Sequence, residues 1–214
     1  MPPFLCVYYA LLVPNRATGT KATHNVCIPN VCMIKCIAMS ISVDKIYEFH
    51  KKRTACHVAC VNYFAGLVGY HFPEHDNDKN TEPMRTGYAY KNYAGYHSDY
   101  KLPQNYDDLF EVAHATHHSH ATHHIDFYGG DVTRIPDVCL MEMICDWCSA
   151  NFEQVYILHD YEYESVSQWF DAKMAWYNWT PAQLKTIRQT IAFLDREKNV
   201  DDLKKIWAPV TDEN

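Results

Sequence analysis

Residues 43–70 read VDKIYEFHKKRTACHVACVNYFAGLVGY and decide the fold class. Ile46, Phe49, Val58, Val61, Phe64 and Leu67 recur near the spacing that returns to one face of an α-helix, and Gly69 is placed to end it. The same reading extends along the chain. Asn105 or Asp107 can cap a helix beginning YDDLFEVAHATHH. Gly129-Gly130 would close that region, and Ile135-Pro136 opens PDVCLMEMICDWCSA with proline at the first helical position. A further helix is expected over SVSQWFDAKMAWYNW. Thr180-Pro181 forms a good N-cap and N1 pair for PAQLKTIRQTIAFLDRE. Nothing alternates convincingly at period two, so the expectation is an all-α domain of five to seven helices.

At 214 residues, 48% of them hydrophobic, the chain can bury an ordinary single core. Its net charge of −7 argues against an extended nucleic-acid surface or an anionic membrane as partner. No uninterrupted apolar run is long enough to span a bilayer. Residues 1–38 contain Arg16, Lys21 and Lys35 but no acid, and four of the nine cysteines. They lack the charge pattern of a secretory or transit leader. The expected organisation is therefore a poorly ordered extension or misassigned start over 1–38, followed by a helical domain over 39–214. Paired C-x-x-C knuckles are absent, which favours free thiols and a reducing, cytoplasmic setting over a structural zinc site.

Residues 114–124, HATHHSHATHH, hold six of the thirteen histidines. So many imidazoles point to metal binding or to proton transfer near neutral pH, against the blander reading of a solvated His-rich helix. On a continuous helix His114, His117, His118 and His124 share one broad face, leaving His120 and His123 for packing or support. Seven residues separate His117 from His124, two helical turns. One would then sit at a metal and the other, cationic, over a substrate phosphate. His75-Asp76, in the loop EHDNDKN, offers adjacent nitrogen and oxygen ligands. Asp146, between Cys145 and Trp147 in an apolar helix, is a costly residue unless paired or metal-bound; Glu142 lies one turn earlier. Lys79, three residues past Asp76, could meet a phosphate oxygen or be merely solvated. The tyrosines at 88, 90, 93, 96, 100 and 106 could stack a ring substrate, but their spacing better suits core packing.

The order His57, His75-Asp76, Asp146 resembles the H…HD…D pattern of the HD-domain superfamily of metal-dependent phosphohydrolases. More specifically, residues 50–195 resemble the family termed domain of unknown function 5662. The resemblance is carried by His57, the run His75-Asp76-Asn77-Asp78-Lys79, His117, His123-His124, Phe127-Tyr128, Glu142-Met143-Ile144-Cys145-Asp146-Trp147 and Trp169-Phe170. Asp78 replaces a usual serine, and Ala121 a usual asparagine. The resemblance implies an HD-like helical fold with His57, His75, Asp76 and Asp146 as metal ligands. It also implies His117 and His124 as ligands of a second ion or as catalytic groups. The implied reaction is hydrolysis of a nucleotide or other small phosphoester by a metal-activated water, with one or two divalent ions (Mn, Fe, Co, Ni, Zn or Mg). The alternatives are an inactive HD-like module that binds metal or nucleotide, and a His-rich helix that sequesters ions.

Overall fold

A computed structural model describes residues 41–211, and the expected extension over 1–38 lies outside them. The described chain contains seven α-helices and no strand. Helix α1, Val43–Leu67, is the central strut. It buries Ile46, Phe49, Val61 and Phe64 as its spacing predicts, whereas Val58 and Leu67 are only half-buried. Arg53 and His57 share the buried stripe. Gly69 ends the helix in the left-handed region, φ 81°. Tyr70 N–H returns to the Ala65 carbonyl at 2.9 Å and Gly69 N–H to that of Gly66 at 3.3 Å, a Schellman closure.

Helix α2, Met84–Tyr96, was concealed in the sequence by its tyrosines. It packs on α3, Tyr106–His120, and on α1. The α2–α3 approach requires Gly87, because a Cβ there would lie 2.4 Å from the Ala113 Cβ and 2.7 Å from the Leu109 carbonyl oxygen. Tyr88, Tyr93 and Tyr106 are buried, so these aromatics build core rather than an open stacking platform.

Helix α4, Asp137–Phe152, lies against α1 and continues into a π-helical turn over Glu153–Ile157. Pro136 is its N-cap rather than its first helical residue. Helix α5 covers only Val166–Lys173, shorter than its sequence suggests, because the chain turns after Met174. Helix α6, Pro181–Glu197, carries the expected start: Thr180 and Gln183 form a full capping box. Helix α7, Val200–Thr211, packs along α1 and buries Trp207 completely. The described cysteines are free thiols. No helix among the described residues is long and apolar enough to cross a membrane.

The histidine-rich segment departs most from expectation. Helix α3 stops at His120; Ala121 is extended and so is His124, φ −117° and ψ 144°. Beyond His120 the helical period no longer governs where side chains point. This break builds the site.

Candidate metal centre

Three parts of the fold meet between α1, α4 and the end of α3. Helix α1 supplies His57 and α4 supplies Asp146, which the α1–α4 contact brings together. The loop after α1 supplies His75 and Asp76. Asp76 has a left-handed backbone, φ 59° and ψ 13°, a conformation aspartate tolerates better than most residues. All four side chains are buried.

The four expected ligands converge. His57 Nε2 is 3.0 Å from Asp146 Oδ1, 3.5 Å from Asp76 Oδ2 and 3.4 Å from His75 Nε2. His75 Nε2 is 3.8 Å from Asp76 Oδ2 and 3.7 Å from Asp146 Oδ1. Ligand atoms set tetrahedrally at roughly 2.0–2.2 Å around one ion are separated by about 3.3–3.6 Å; His57, His75 and Asp76 are close enough together to hold one, with Asp146 beside both imidazoles.

The other Asp76 oxygen faces a second set. Oδ1 lies 3.2 Å from His117 Nε2 and 3.6 Å from His123 Nε2. His124 Nε2 is 2.9 Å from His117 Nε2. The nitrogens of His117, His123 and His124 are mutually close enough to share an ion. Asp76 Oδ1 and His123 Nε2 are both buried without a hydrogen-bond partner, an expensive condition that a cation would relieve.

His123 is thus a site residue that helical reasoning assigned to packing. His117 and His124, placed two turns apart on an extrapolated helix, in fact touch, because the segment after His120 folds back. His120 is exposed and bonds to the Thr116 carbonyl of its own helix. His114 and His118 lie behind the site, His118 paired with Asp126 at 2.9 Å and stacked on His124. Lys79 does not stand free for a phosphate. The short 3₁₀ turn Asn77–Asn80 brings its ammonium to 2.7 Å from Asp76 Oδ2 and over the Tyr88 ring.

The rings are held from behind. Ser149 donates its hydroxyl to the His57 carbonyl at 3.3 Å, leaving its oxygen to accept from His57 Nδ1–H at 3.1 Å. Asp78 accepts from His117 Nδ1 at 2.7 Å, and Glu142 from His75 Nδ1 at 3.0 Å. With a metal bound, each backing acceptor would hold the proton on Nδ1 and leave the Nε2 lone pair to the ion, as metal-ligating histidines require. A cleft of about 530 Å³ opens onto His75, Asp76, His123 and Glu142 and is wide enough for a small ligand.

Charges follow from this geometry. Burial works against ionised Asp76 and Asp146, yet Lys79 and the imidazoles of His75, His117 and His123 hold Asp76, and those of His57 and His75 hold Asp146, well below their usual range. Burial also opposes a cationic His75, but Asp76, Asp146 and Glu142 prevail and raise it to about 10. His124 goes the other way. Burial first, then His123, His118 and His117, holds it neutral, so of the two roles left open for His117 and His124 it suits the ligand rather than the cation.

Opposed shifts give the metal-free protein a two-sided pH dependence. His50 is lowered to about 4 and His114 to about 3, mainly by burial. Below pH 6.5 the unfolded chain protonates these groups and the fold does not, so their contribution is lost as pH falls towards 4 and 3. The raised His75 stabilises fully below 6.5, and that contribution is lost as pH rises through about 10. Thermal melts from pH 4 to pH 10 should show a maximum near pH 6.5. Added divalent metal should flatten the alkaline limb, since ligation displaces the His75 proton. A metal-free melting temperature still climbing from pH 7 to pH 10 would contradict the His75 assignment.

Neither the curated proteins nor the solved structures include a match to this chain. Residues 46–198, the segment carrying every candidate ligand described above, match the Family of unknown function (DUF5662). The chain belongs to that family.

Proposed function

We propose that this protein is an HD-like, two-metal phosphohydrolase acting on a nucleotide or other small phosphoester. The observation that carries the reading is Asp76, whose two buried oxygens face two separate imidazole-rich donor sets beside one cleft. His57, His75, Asp76 Oδ2 and Asp146 would hold one ion. Asp76 Oδ1, His117, His123 and His124 would hold the other. Two divalent ions there would acidify water and offset phosphoryl charge. The chain's own groups orient them: Ser149, Glu142 and Asp78 fix the imidazole tautomers, and Lys79 offsets the Asp76 charge. Mixed nitrogen and oxygen donors accept several first-row ions, so the metal is to be found by assay.

The test is elemental analysis of protein purified without a histidine tag. Turnover of p-nitrophenyl phosphate and a panel of nucleotides with Mn²⁺, Co²⁺, Ni²⁺, Zn²⁺ or Mg²⁺ then follows. Two ions per chain with metal-dependent phosphate release is the expected result. Two ions with no release from any substrate would make the protein a binding module instead. More than two ions per chain would indicate sequestration.

A further inference from the structure

Glu142 has a place in this centre that no ligand has. It sits on α4 one turn before Asp146, and its Oε1 lies 3.0 Å from His75 Nδ1 and 3.4 Å from His123 Nδ1. Those two imidazoles come from different parts of the chain, the loop after α1 and the turn after α3. Their ring centroids are 4.3 Å apart. His75 belongs to the donor set of the first ion and His123 to that of the second.

We propose that Glu142 is a positioning residue that couples the two ions, holding one ligand of each from a single carboxylate oxygen. This rests on the two-ion reading above. An imidazole can carry its proton on either nitrogen, and only the ring protonated at Nδ1 offers Nε2 to a metal. One oxygen accepting from both rings fixes both tautomers and both ring planes together. When the first site fills, His75 becomes fixed and steadies Glu142, and Glu142 in turn presents His123 already oriented. The second ion then meets a preorganised site and binds more tightly than it would alone. By linkage the second ion strengthens the first to the same degree. Glu142 also lines the cleft, so this coupling is set at the mouth through which ions and substrate arrive.

The experiment uses the full chain, stripped of metal and titrated with Mn²⁺ alone while electron paramagnetic resonance is recorded. With one equivalent of Mn²⁺ per chain, wild type should show mainly the exchange-coupled pair, with few isolated ions. Glu142→Ala should show isolated Mn²⁺ at one equivalent, and its second equivalent should bind about 10–100-fold more weakly. Glu142→Asp, one methylene too short to reach both rings, should behave like alanine and serves as the readout if the alanine variant does not fold. Glu142→Gln keeps the accepting oxygen and should restore pair formation, whereas Glu142→Met, of similar size but without an acceptor, should not, a difference that a packing role alone would not produce. If the aspartate variant, and the alanine variant where it folds, form the pair as wild type does, the coupling proposal is wrong and the two-ion centre stands. If wild type takes up only one Mn²⁺, the two-ion reading fails and this proposal with it.

Discussion

Asp76→Ala should release both ions at once and reduce phosphoester turnover to background, whereas loss of any single histidine should weaken chiefly one site. Asp76 Oδ2 is 3.5 Å from His57 Nε2 and Oδ1 is 3.2 Å from His117 Nε2, so one carboxylate closes both donor sets. Its removal leaves Lys79 facing the imidazoles without its partner at 2.7 Å, which adds repulsion to the lost ligand. Losing one charge-stabilising group in an active site costs about 10²–10³-fold in rate. Losing the group shared by two ions should cost ~10³-fold or more. Elemental analysis gives the sharper readout: metal content should fall from two ions per chain to none. An Asp76→Ala protein that retained one ion and a tenth of its turnover would show that Asp76 does not bridge. Asp76→Asn should resemble alanine in metal content yet keep the apo melting temperature closer to wild type, because the amide still fills the space.

Of the candidate ligands, Asp146 is the one legible by itself; His57 and the His75-Asp76 pair carry weight only in its company. Asp146 among Ile144, Cys145 and Trp147 is expensive without a partner, and the structure supplies His57 at 3.0 Å. His123 was missed for a specific reason. A helical period continued past His120 turns His123 away from His117, whereas the chain leaves the helix at Ala121 and folds His123 and His124 back onto it. The adjacent pair His117-His118 lies within α3, so neighbouring histidines alone do not mark the helix end. Nothing local to Ser149 or Asp78 revealed that these residues back His57 and His117, because such support depends on which helices meet. The fold shows the same division. Helices α1, α3, α4 and α6 announced themselves by period and caps. Helix α2 did not, because its tyrosines disguised the pattern, and α7 went unread at the end of the chain.

Arg53→Ala should be among the most destabilising single changes away from the ligands, at about 3–5 kcal/mol. Arg53 lies one turn before His57 on α1, and its guanidinium pairs in two places with Glu153, the Nε contact at 2.8 Å. Both side chains are 5% exposed, so neither charge can recover its lost hydration when the other is removed. Tyr96 donates to the same carboxylate at 2.8 Å, which shares the charge but cannot neutralise it. Glu153 opens the π-helical turn directly after α4, four residues beyond Ser149, the group that holds His57. The pair therefore clamps α1 to α4 close to where those helices bring His57 and Asp146 together. A loss of this size should lower the melting temperature of a domain this large by roughly 10 °C or more. The double variant Arg53→Met, Glu153→Leu removes both charges and should recover much of the stability, because the main penalty is the stranded carboxylate. If the single variant melts within about 2 °C of wild type, water reaches Glu153 and the clamp is not buried in solution. If the double variant is fully stable but binds the first ion more weakly, the clamp sets the spacing of His57 and Asp146 as well as holding the fold.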